Sequence, residues 1–303
     1  MGNQNGINPV EMRKYICTFM EGYAYDAQAM DHLLLVYDQI VADPEAWDLL
    51  SACLQSYQQD HLCPFDAILQ NAEKMAQILS VHIFTVAFLV FLCLSRHLKE
   101  LYIEKDLPLI YYEKSMADLK YKLGECRLVH GIIGSFVAKW FVGFFRLTRF
   151  GIGRLQFEVI PFGDSYAKDD IILTPESKVI NIHIPRSKEP LTQSACLEAY
   201  EEAKTFFKAE VGMDPCPFVC DTYLLYPENE TFLPPSSNTY QFFKRFEIIS
   251  VRPDEERRNL WRLFDTQEKN LDRLPTDTSL RRAFLAHLKS GGKMGIGRGI
   301  LFI

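Results

Sequence analysis

The spacing of hydrophobic residues changes once along this 303-residue chain, near Phe145, and that change most limits the fold. Before it, apolar residues recur every three to four positions, as on one side of a helix. After it, several segments alternate apolar and polar residues, as in strands with one buried face. We therefore predict an α+β protein, with an all-helical N-terminal domain over residues 1–145 and a mixed α/β C-terminal domain over residues 146–303.

Helix start signals recur through the first half. Asn8-Pro9 and Asp43-Pro44 each place a capping side chain before a proline suited to the first helical turn. Further helices are predicted over residues 64–79, 81–105, 109–123 and 128–141. The apolar run Ile78–Leu94 has 17 residues. A bilayer-spanning helix needs about 20, so we predict a buried core helix here and no membrane partner.

The second half mixes strands and helices. Strict alternation over residues 154–159 and 178–184 predicts two strands, and an amphipathic helix is predicted over Thr192–Val211. Further strands are predicted over residues 218–225, 246–251, 260–264 and 296–303, with helices over 238–245 and 278–289.

Charge and cysteine content exclude several function classes. The net charge is −6 and Lys/Arg runs never exceed two residues, so we expect no nucleic-acid partner. The eight cysteines are irregularly spaced, which indicates reduced thiols. A metal site using Cys216 and Cys220 with a distant histidine would lack the close ligand pairing of structural zinc, so we expect no metal. The first residues show no basic patch followed by an apolar stretch, so we expect a cytoplasmic protein.

Alternation brings two candidate catalytic residues to one face of the sheet. If the first two strands are neighbours and their apolar sides lie under the Thr192–Val211 helix, Glu158 and His183 share the opposite side. A carboxylate beside an imidazole can act as a general base. The alternative is a solvated sheet face carrying ordinary polar residues.

The strand over residues 218–225 adds Cys220, Asp221 and Tyr223 as candidates. A nucleophilic Cys220 would need a lowered pKa from a histidine or a helix N-terminus, and a buried core cysteine is the alternative. Tyr223 could return a proton to a leaving thiolate, or it could be an ordinary buried tyrosine.

Two segments could contact phosphate groups. The glycine-rich tail, residues 290–299, is followed by only four residues, so no helix can begin there, and a turn plus a kinked last strand is predicted. The loop with Arg186, Ser187 and Lys188 is the better candidate, because it has two cations and precedes a helix that begins near Thr192.

Segments along nearly the whole chain resemble, in order, the acyltransferase domain-containing family with a helical N-acyltransferase N-terminal domain and a GNAT-like C-terminal domain. They are ELYIEKDLP (100–108), GRLQFE (153–158), INIHIP (180–185), EEAKTFF (201–207), FVCDTYLL (218–225), LPPSSNTYQFFKRF (233–246) and LPTDTSLRRAFLAHLKSGG (274–292). The resemblance implies a GNAT-like mixed sheet that binds acetyl-CoA or a longer acyl-CoA where two strands splay apart. Ile182 and Ile184 would then line the part of the binding site that holds the thioester.

The chain departs from the GNAT pattern at one place. The pyrophosphate of coenzyme A usually lies on a Q/R-x-x-G-x-G/A loop, whereas residues 185–195, PRSKEPLTQSA, contain no glycine. The side chains of Arg186 and Lys188 would have to compensate. The resemblance implies an acyl-CoA-dependent transferase that acts on an amine or other small acceptor. A non-catalytic GNAT-shaped module that binds a ligand or partner stays open as the alternative.

Overall fold

A computed structural model describes residues 7–187 and 189–303 of the chain. The chain divides into two compact units, Met1–Thr148 and Arg149–Ile303. The first is built from helices and the second contains a mixed sheet with helices, so the predicted α+β class is confirmed.

Seven helices lie in the first unit's described residues. They are α1 (Pro9–Gly22), α2 (Ala27–Ala42), α3 (Pro44–Gln59), α4 (Phe65–Leu79), α5 (Ile83–Glu104), α6 (Leu109–His130) and α7 (Ala138–Phe145). The side chains of Asn8 and Asp43 accept hydrogen bonds from the first-turn amides of α1 and α3. These caps satisfy amides that have no partner within the helix, so they fix where each helix begins.

Helix α5 carries much of the buried apolar surface of the helical unit. Every residue from Val86 to Leu94 is buried. The ring of Phe91 lies within 6.1 Å of the ring of Phe65, 5.4 Å of Phe141 and 5.0 Å of Phe145. Over the described part of the chain, no helix combines the length and apolarity needed to cross a membrane.

The predicted break between residues 123 and 128 is wrong. Helix α6 continues through Gly124 to His130 and ends where Gly131 adopts a left-handed conformation with φ of 72°. The following helix begins only at Ala138. A glycine inside a helix costs stability without ending it, whereas a glycine at the C-terminus favours the left-handed cap.

The second unit is built on a six-stranded sheet in the order β1-β2-β5-β6-β8-β7. Its strands are β1 (Arg149–Ile152), β2 (Leu155–Pro161), β5 (Lys178–His183), β6 (Pro217–Thr222), β7 (Glu247–Pro253) and β8 (Gly295–Phe302). Strands β5 and β6 are parallel, and the other neighbours are antiparallel. A separate hairpin pairs β3 (Tyr166–Lys168) with β4 (Ile171–Leu173).

Helices complete this unit. They are α8 (Gln193–Phe206), α9 (Lys208–Val211), α10 (Asn229–Phe232), α11 (Asn238–Phe243), α12 (Leu260–Phe264) and α13 (Ser279–Lys289). Tyr200 of α8 packs against Phe157 of β2 and Phe218 of β6. Helix α8 therefore covers one face of the sheet. On the other face, Val179, Val219 and Ile300 form an apolar cluster with residues of the β3–β4 hairpin.

Three predicted elements of this unit differ from the structure. The predicted strand over residues 260–264 is helix α12, because the run Leu-Trp-Arg-Leu-Phe is too short for its period to distinguish a strand from a helix. Strand β6 ends at Thr222, and Tyr223–Leu225 form a 3₁₀ turn. The predicted long helix over Thr192–Val211 is interrupted near Phe207 and forms α8 and α9.

The glycine-rich tail forms a turn at residues 290–291 and then strand β8 from Gly295, as predicted. A Cβ atom on Gly297 would lie 1.9 Å from the carbonyl oxygen of Leu225, and one on Gly299 would lie 2.7 Å from Cβ of Phe246. Gly297 thus allows the backbone of Leu225 to approach the strand closely, and Gly299 allows the side chain of Phe246 to do so.

Candidate active site

Strands β5 and β6 diverge in the middle of the sheet. Their ladder pairs only Ile180 with Phe218 and Asn181 with Val219. Strand β5 nevertheless continues to His183, and β6 continues to Thr222. Beyond Asn181 the two strands therefore separate. Ile182, which is buried, is the first residue of β5 past the last pair, and Ile184 follows the strand.

Strand register places the polar residues of β1, β2 and β5 side by side on one face. Arg149 lies opposite Glu158, and Glu158 lies opposite Asn181. Gln156 lies opposite His183 in the neighbouring row. Phe157 and Ile182 pair between these rows and point the other way, toward α8.

The structure brings Glu158 and His183 into direct contact. Nε2 of His183 lies 2.7 Å from Oε1 of Glu158, and Nη2 of Arg149 donates to Oε2 over 2.8 Å. Nδ2 of Asn181 donates to Oε1 over 3.3 Å. An ionised carboxylate only accepts hydrogen bonds, so Nε2 must carry the shared proton. In the neutral imidazole, Nδ1 is then the atom able to accept a proton.

The electrostatic surroundings keep Glu158 ionised. Burial alone would raise the pKa of its carboxyl group, but the hydrogen bond and charge of His183, together with Arg149, outweigh burial and lower the pKa to about 2. Glu158 is therefore a carboxylate at neutral pH. It can orient the imidazole and stabilise the imidazolium that forms when Nδ1 takes a proton.

This lowered pKa predicts a pH-dependent contribution to stability. A lowered folded-state pKa stabilises the fold above the ordinary value of 4.5, and the contribution disappears as the pH falls toward 2. The shift corresponds to about 3 kcal/mol. We expect E158Q to have an unfolding free energy lower by about this amount at pH 6, with a smaller deficit at pH 3. Urea unfolding of both proteins at several pH values measures the deficit, and a deficit independent of pH would contradict the assignment.

Cys220 and Asp221 point to opposite faces of β6. Cys220 shares the face of Phe218, which packs on Tyr200 of α8, so the thiol lies on the other side of the sheet from His183. Cys220 is buried, and burial raises the pKa of its thiol well above the ordinary value. Asp221 lies on the His183 face and accepts a hydrogen bond from Arg252 over 2.8 Å.

Tyr223 begins the 3₁₀ turn that follows β6. Burial raises the pKa of its hydroxyl to about 12. Its ring packs edge-on against Phe284 of α13, with 6.0 Å between the ring centroids. Tyr223 therefore holds its proton at neutral pH and can act only as a proton donor or a hydrogen-bonding group.

The predicted phosphate loop is tied to the protein at both ends. Arg186 forms an ion pair with Asp265, which also pairs with Arg281 of α13. Thr192 caps α8 by accepting from the amide of Ala195. Ser187 is half-buried, and its Oγ atom has no hydrogen-bond partner among residues 7–187 and 189–303. Lys188 lies outside the described residues.

Arg154 holds this loop in place and was not singled out from the sequence. Its alternation with Gln156 and Glu158 suggested the polar sheet face, but Arg154 precedes β2 and is buried. Nε of Arg154 donates to the carbonyl oxygen of Glu189 over 2.8 Å, and Nη1 donates to that of Pro185 over 3.2 Å. In the described parts of the chain, no group of three or more His, Cys, Asp or Glu side chains is arranged to hold a metal ion.

Comparison with known proteins identifies both units. Residues 15–147 match the family model of the N-acyltransferase N-terminal domain, and residues 149–301 match that of the GNAT-like C-terminal domain. None of the curated proteins matches the chain.

Solved structures share the fold along almost the whole chain. An acyltransferase in complex with decanoyl-CoA and teicoplanin is 21% identical, with a TM-score of 0.66 over 98% of this chain and 99% of the other. An acyltransferase in complex with decanoyl-CoA is 19% identical, with a TM-score of 0.67 over 97% and 99%. A third structure contains CoA and 10C-teicoplanin, with 20% identity and a TM-score of 0.66 over 98% and 99%.

Proposed function

Because the chain belongs to the family that joins an N-acyltransferase N-terminal domain to a GNAT-like C-terminal domain, we propose that it transfers an acyl group from acetyl-CoA or a longer acyl-CoA to a small acceptor. The hydrogen-bonded pair of Glu158 and His183, beside the divergence of β5 and β6, carries this proposal. The acceptor is proposed to be an amine or another small nucleophile.

His183 acts as the general base in the proposed reaction. The acceptor nitrogen attacks the thioester carbonyl carbon, and its proton passes to Nδ1 of His183 while Glu158 stabilises the imidazolium. The C–S bond then breaks, and coenzyme A leaves as a thiolate that takes up a proton. Tyr223 is the proposed proton donor, since its pKa of about 12 keeps the hydroxyl protonated, and the proton that His183 took from the acceptor then passes back to the phenolate. Cys220 is not needed in this direct transfer.

The acyl-CoA is proposed to lie at the divergence of β5 and β6. Ile182 and Ile184 would line the part of the site that holds the thioester, because the pairing of β5 with β6 stops before them. Arg186, Ser187, Lys188 and Thr192 are proposed to contact the phosphates. Solved relatives of the same fold hold decanoyl-CoA, which supports an acyl-CoA donor.

A non-catalytic ligand-binding module is the second candidate. The ion pair between Arg186 and Asp265 favours it, because a guanidinium neutralised by a carboxylate attracts a phosphate less strongly. The glycine-free loop favours it too. Under this reading Glu158 and His183 are a polar pair of the sheet, and no acceptor stimulates release of coenzyme A.

Ligand-induced stabilisation tests acyl-CoA binding. We expect decanoyl-CoA at a hundred times its dissociation constant to stabilise the native protein by about 2.7 kcal/mol. Thermal unfolding should be compared for acetyl-CoA, octanoyl-CoA, decanoyl-CoA, CoA and decanoate. A response to decanoate alone would indicate only a fatty-acid site. An unchanged transition across the CoA compounds at millimolar concentration would contradict the proposal.

Release of the CoA thiol from bound decanoyl-CoA tests catalysis. The acceptor panel should include simple amines and amino alcohols. It should also include teicoplanin, because an acyltransferase of the same fold binds it. Acceptor-stimulated thiol release supports transfer. Binding of decanoyl-CoA without any stimulated release favours the non-catalytic module.

A further inference from the structure

Gln156 has a buried amide group that the fold leaves unpaired. The residue is 2% exposed, and its Nε2 atom has no hydrogen-bond partner in the described ranges 7–187 and 189–303. Burying an unpaired amide donor costs stability, and nearly all such groups in native proteins find a partner. Other buried atoms of this chain share that property, so the position of Gln156 decides whether a bound molecule could pair with it.

The position of Gln156 connects it with the proposed active site. It is the cross-strand partner of His183, and directly opposed residues on antiparallel strands have Cβ atoms about 5 Å apart. On its other side, the partner on β1 is Gly151, which has no side chain. In the sheet, Gln156 is thus flanked by the candidate base on β5 and by a position without a side chain on β1.

The order of the strands indicates whether the Gln156 amide would contact the acyl-CoA or the acceptor. His183 is on β5, which borders the divergence, whereas Gln156 is on β2, one strand farther from β6. Neighbouring strands are about 4.8 Å apart. A thioester at the divergence would therefore lie closer to His183 than to Gln156, and an acceptor delivering its proton to His183 could extend over Gln156.

We propose that Nε2 of Gln156 donates a hydrogen bond to the acceptor substrate, at an oxygen a few bonds from the nucleophilic nitrogen. This inference rests on the proposed transfer function. The spacing of Gln156 and His183 suits an amine with a nearby hydroxyl or carbonyl group, because one residue binds the oxygen while the other takes the proton. Gln156 is then a substrate-binding residue that favours such acceptors over plain alkylamines.

The first experiment asks whether the fold itself needs the Gln156 amide. The variant Q156L is compared with N229L, because Asn229 is equally buried but donates to the carbonyl oxygens of Tyr223 and Leu224. We expect N229L to lower the melting temperature by about 5 °C. Q156L should match or exceed the wild type, because it removes an unpaired donor. A decrease in melting temperature for Q156L as large as that for N229L would overturn the proposal.

The second experiment uses two small acceptors that differ in one hydroxyl, 2-aminoethanol and n-propylamine, with decanoyl-CoA as donor. We expect Q156L to lower kcat/KM for 2-aminoethanol about tenfold relative to n-propylamine. The dissociation constant of decanoyl-CoA should stay unchanged. An equal decrease in kcat/KM for both amines, or weaker binding of decanoyl-CoA, would contradict the proposed role of Gln156. If the wild type acylates neither amine, the transfer function loses support, and the unfolding comparison alone decides for or against Gln156.

Discussion

Replacement of His183 by alanine is expected to lower the rate of acyl transfer by about two to four orders of magnitude, the usual contribution of a positioned general base. Acyl-CoA binding should persist, because the donor is proposed to bind through β5, β6 and the loop before α8. The reason for the large effect is the geometry at Glu158. Its carboxylate accepts a hydrogen bond from Nε2 of His183 over 2.7 Å, so Nδ1 is the ring nitrogen that takes the acceptor's proton in the proposed reaction.

A second histidine in the same unit provides a matched control. Nε2 of His287 lies 2.9 Å from Oε2 of Glu228, and its ring stacks on Phe232. H287A removes an equivalent pair from a helix rather than from the divergence of the sheet. It should lower stability and leave kcat per folded molecule close to that of the wild type. Transfer by H183A within threefold of the wild type, or an equal loss in H287A, would exclude His183 as the base.

The variant E158Q distinguishes a catalytic role of Glu158 from a role in packing alone. E158Q keeps the shape of the side chain but removes the charge that stabilises an imidazolium, so kcat should fall while the dissociation constant of decanoyl-CoA stays constant. The low pKa of Glu158, about 2, also means that its titration cannot produce a loss of activity near neutral pH.

The polar pair could be predicted from local pattern, but its partners could not. Strict alternation gives the face of each side chain within its own strand, and the assumption that the two strands are neighbours under one helix then places Glu158 and His183 on the same face. Register is a property of two strands, so the pairing of Gln156 with His183 was not accessible. Arg149 was missed because β1 has only four residues, too few for a period to be recognised.

Contacts distant in sequence account for the other differences. Arg154 follows the polar alternation of β2, yet it is buried because the carbonyl oxygens of Pro185 and Glu189 accept its guanidinium hydrogen bonds. Arg186 was expected to face a phosphate, and the structure pairs it with Asp265, 79 residues away. Asp265 follows α12 in a left-handed conformation, and the five residues of α12 are too few to show a helical period.

The variant G297A is expected to destabilise the C-terminal unit by about 3 kcal/mol, the upper part of the usual range for overpacking a core. Its Cβ atom would lie 1.9 Å from the carbonyl oxygen and 2.4 Å from the carbonyl carbon of Leu225. Both are backbone atoms, so no side-chain rotation can relieve the contact. Strand β8 pairs with β6 on one side and β7 on the other, which limits how far it can move away.

Gly212 supplies the control for this substitution. It follows α9 with φ of 66°, and a Cβ atom there would meet nothing within 4 Å. Asparagine tolerates the left-handed conformation, so G212N should change the unfolding free energy by less than about 1 kcal/mol. Urea unfolding of G297A, G212N and the wild type measures both effects. A decrease in unfolding free energy for G297A no larger than for G212N would show that the backbone of Leu225 can move away from β8.

If G297A shows the expected decrease, the close approach of β8 is what holds the Tyr223–Leu225 turn at the end of β6. The Tyr223 hydroxyl is then held in place by the same contact.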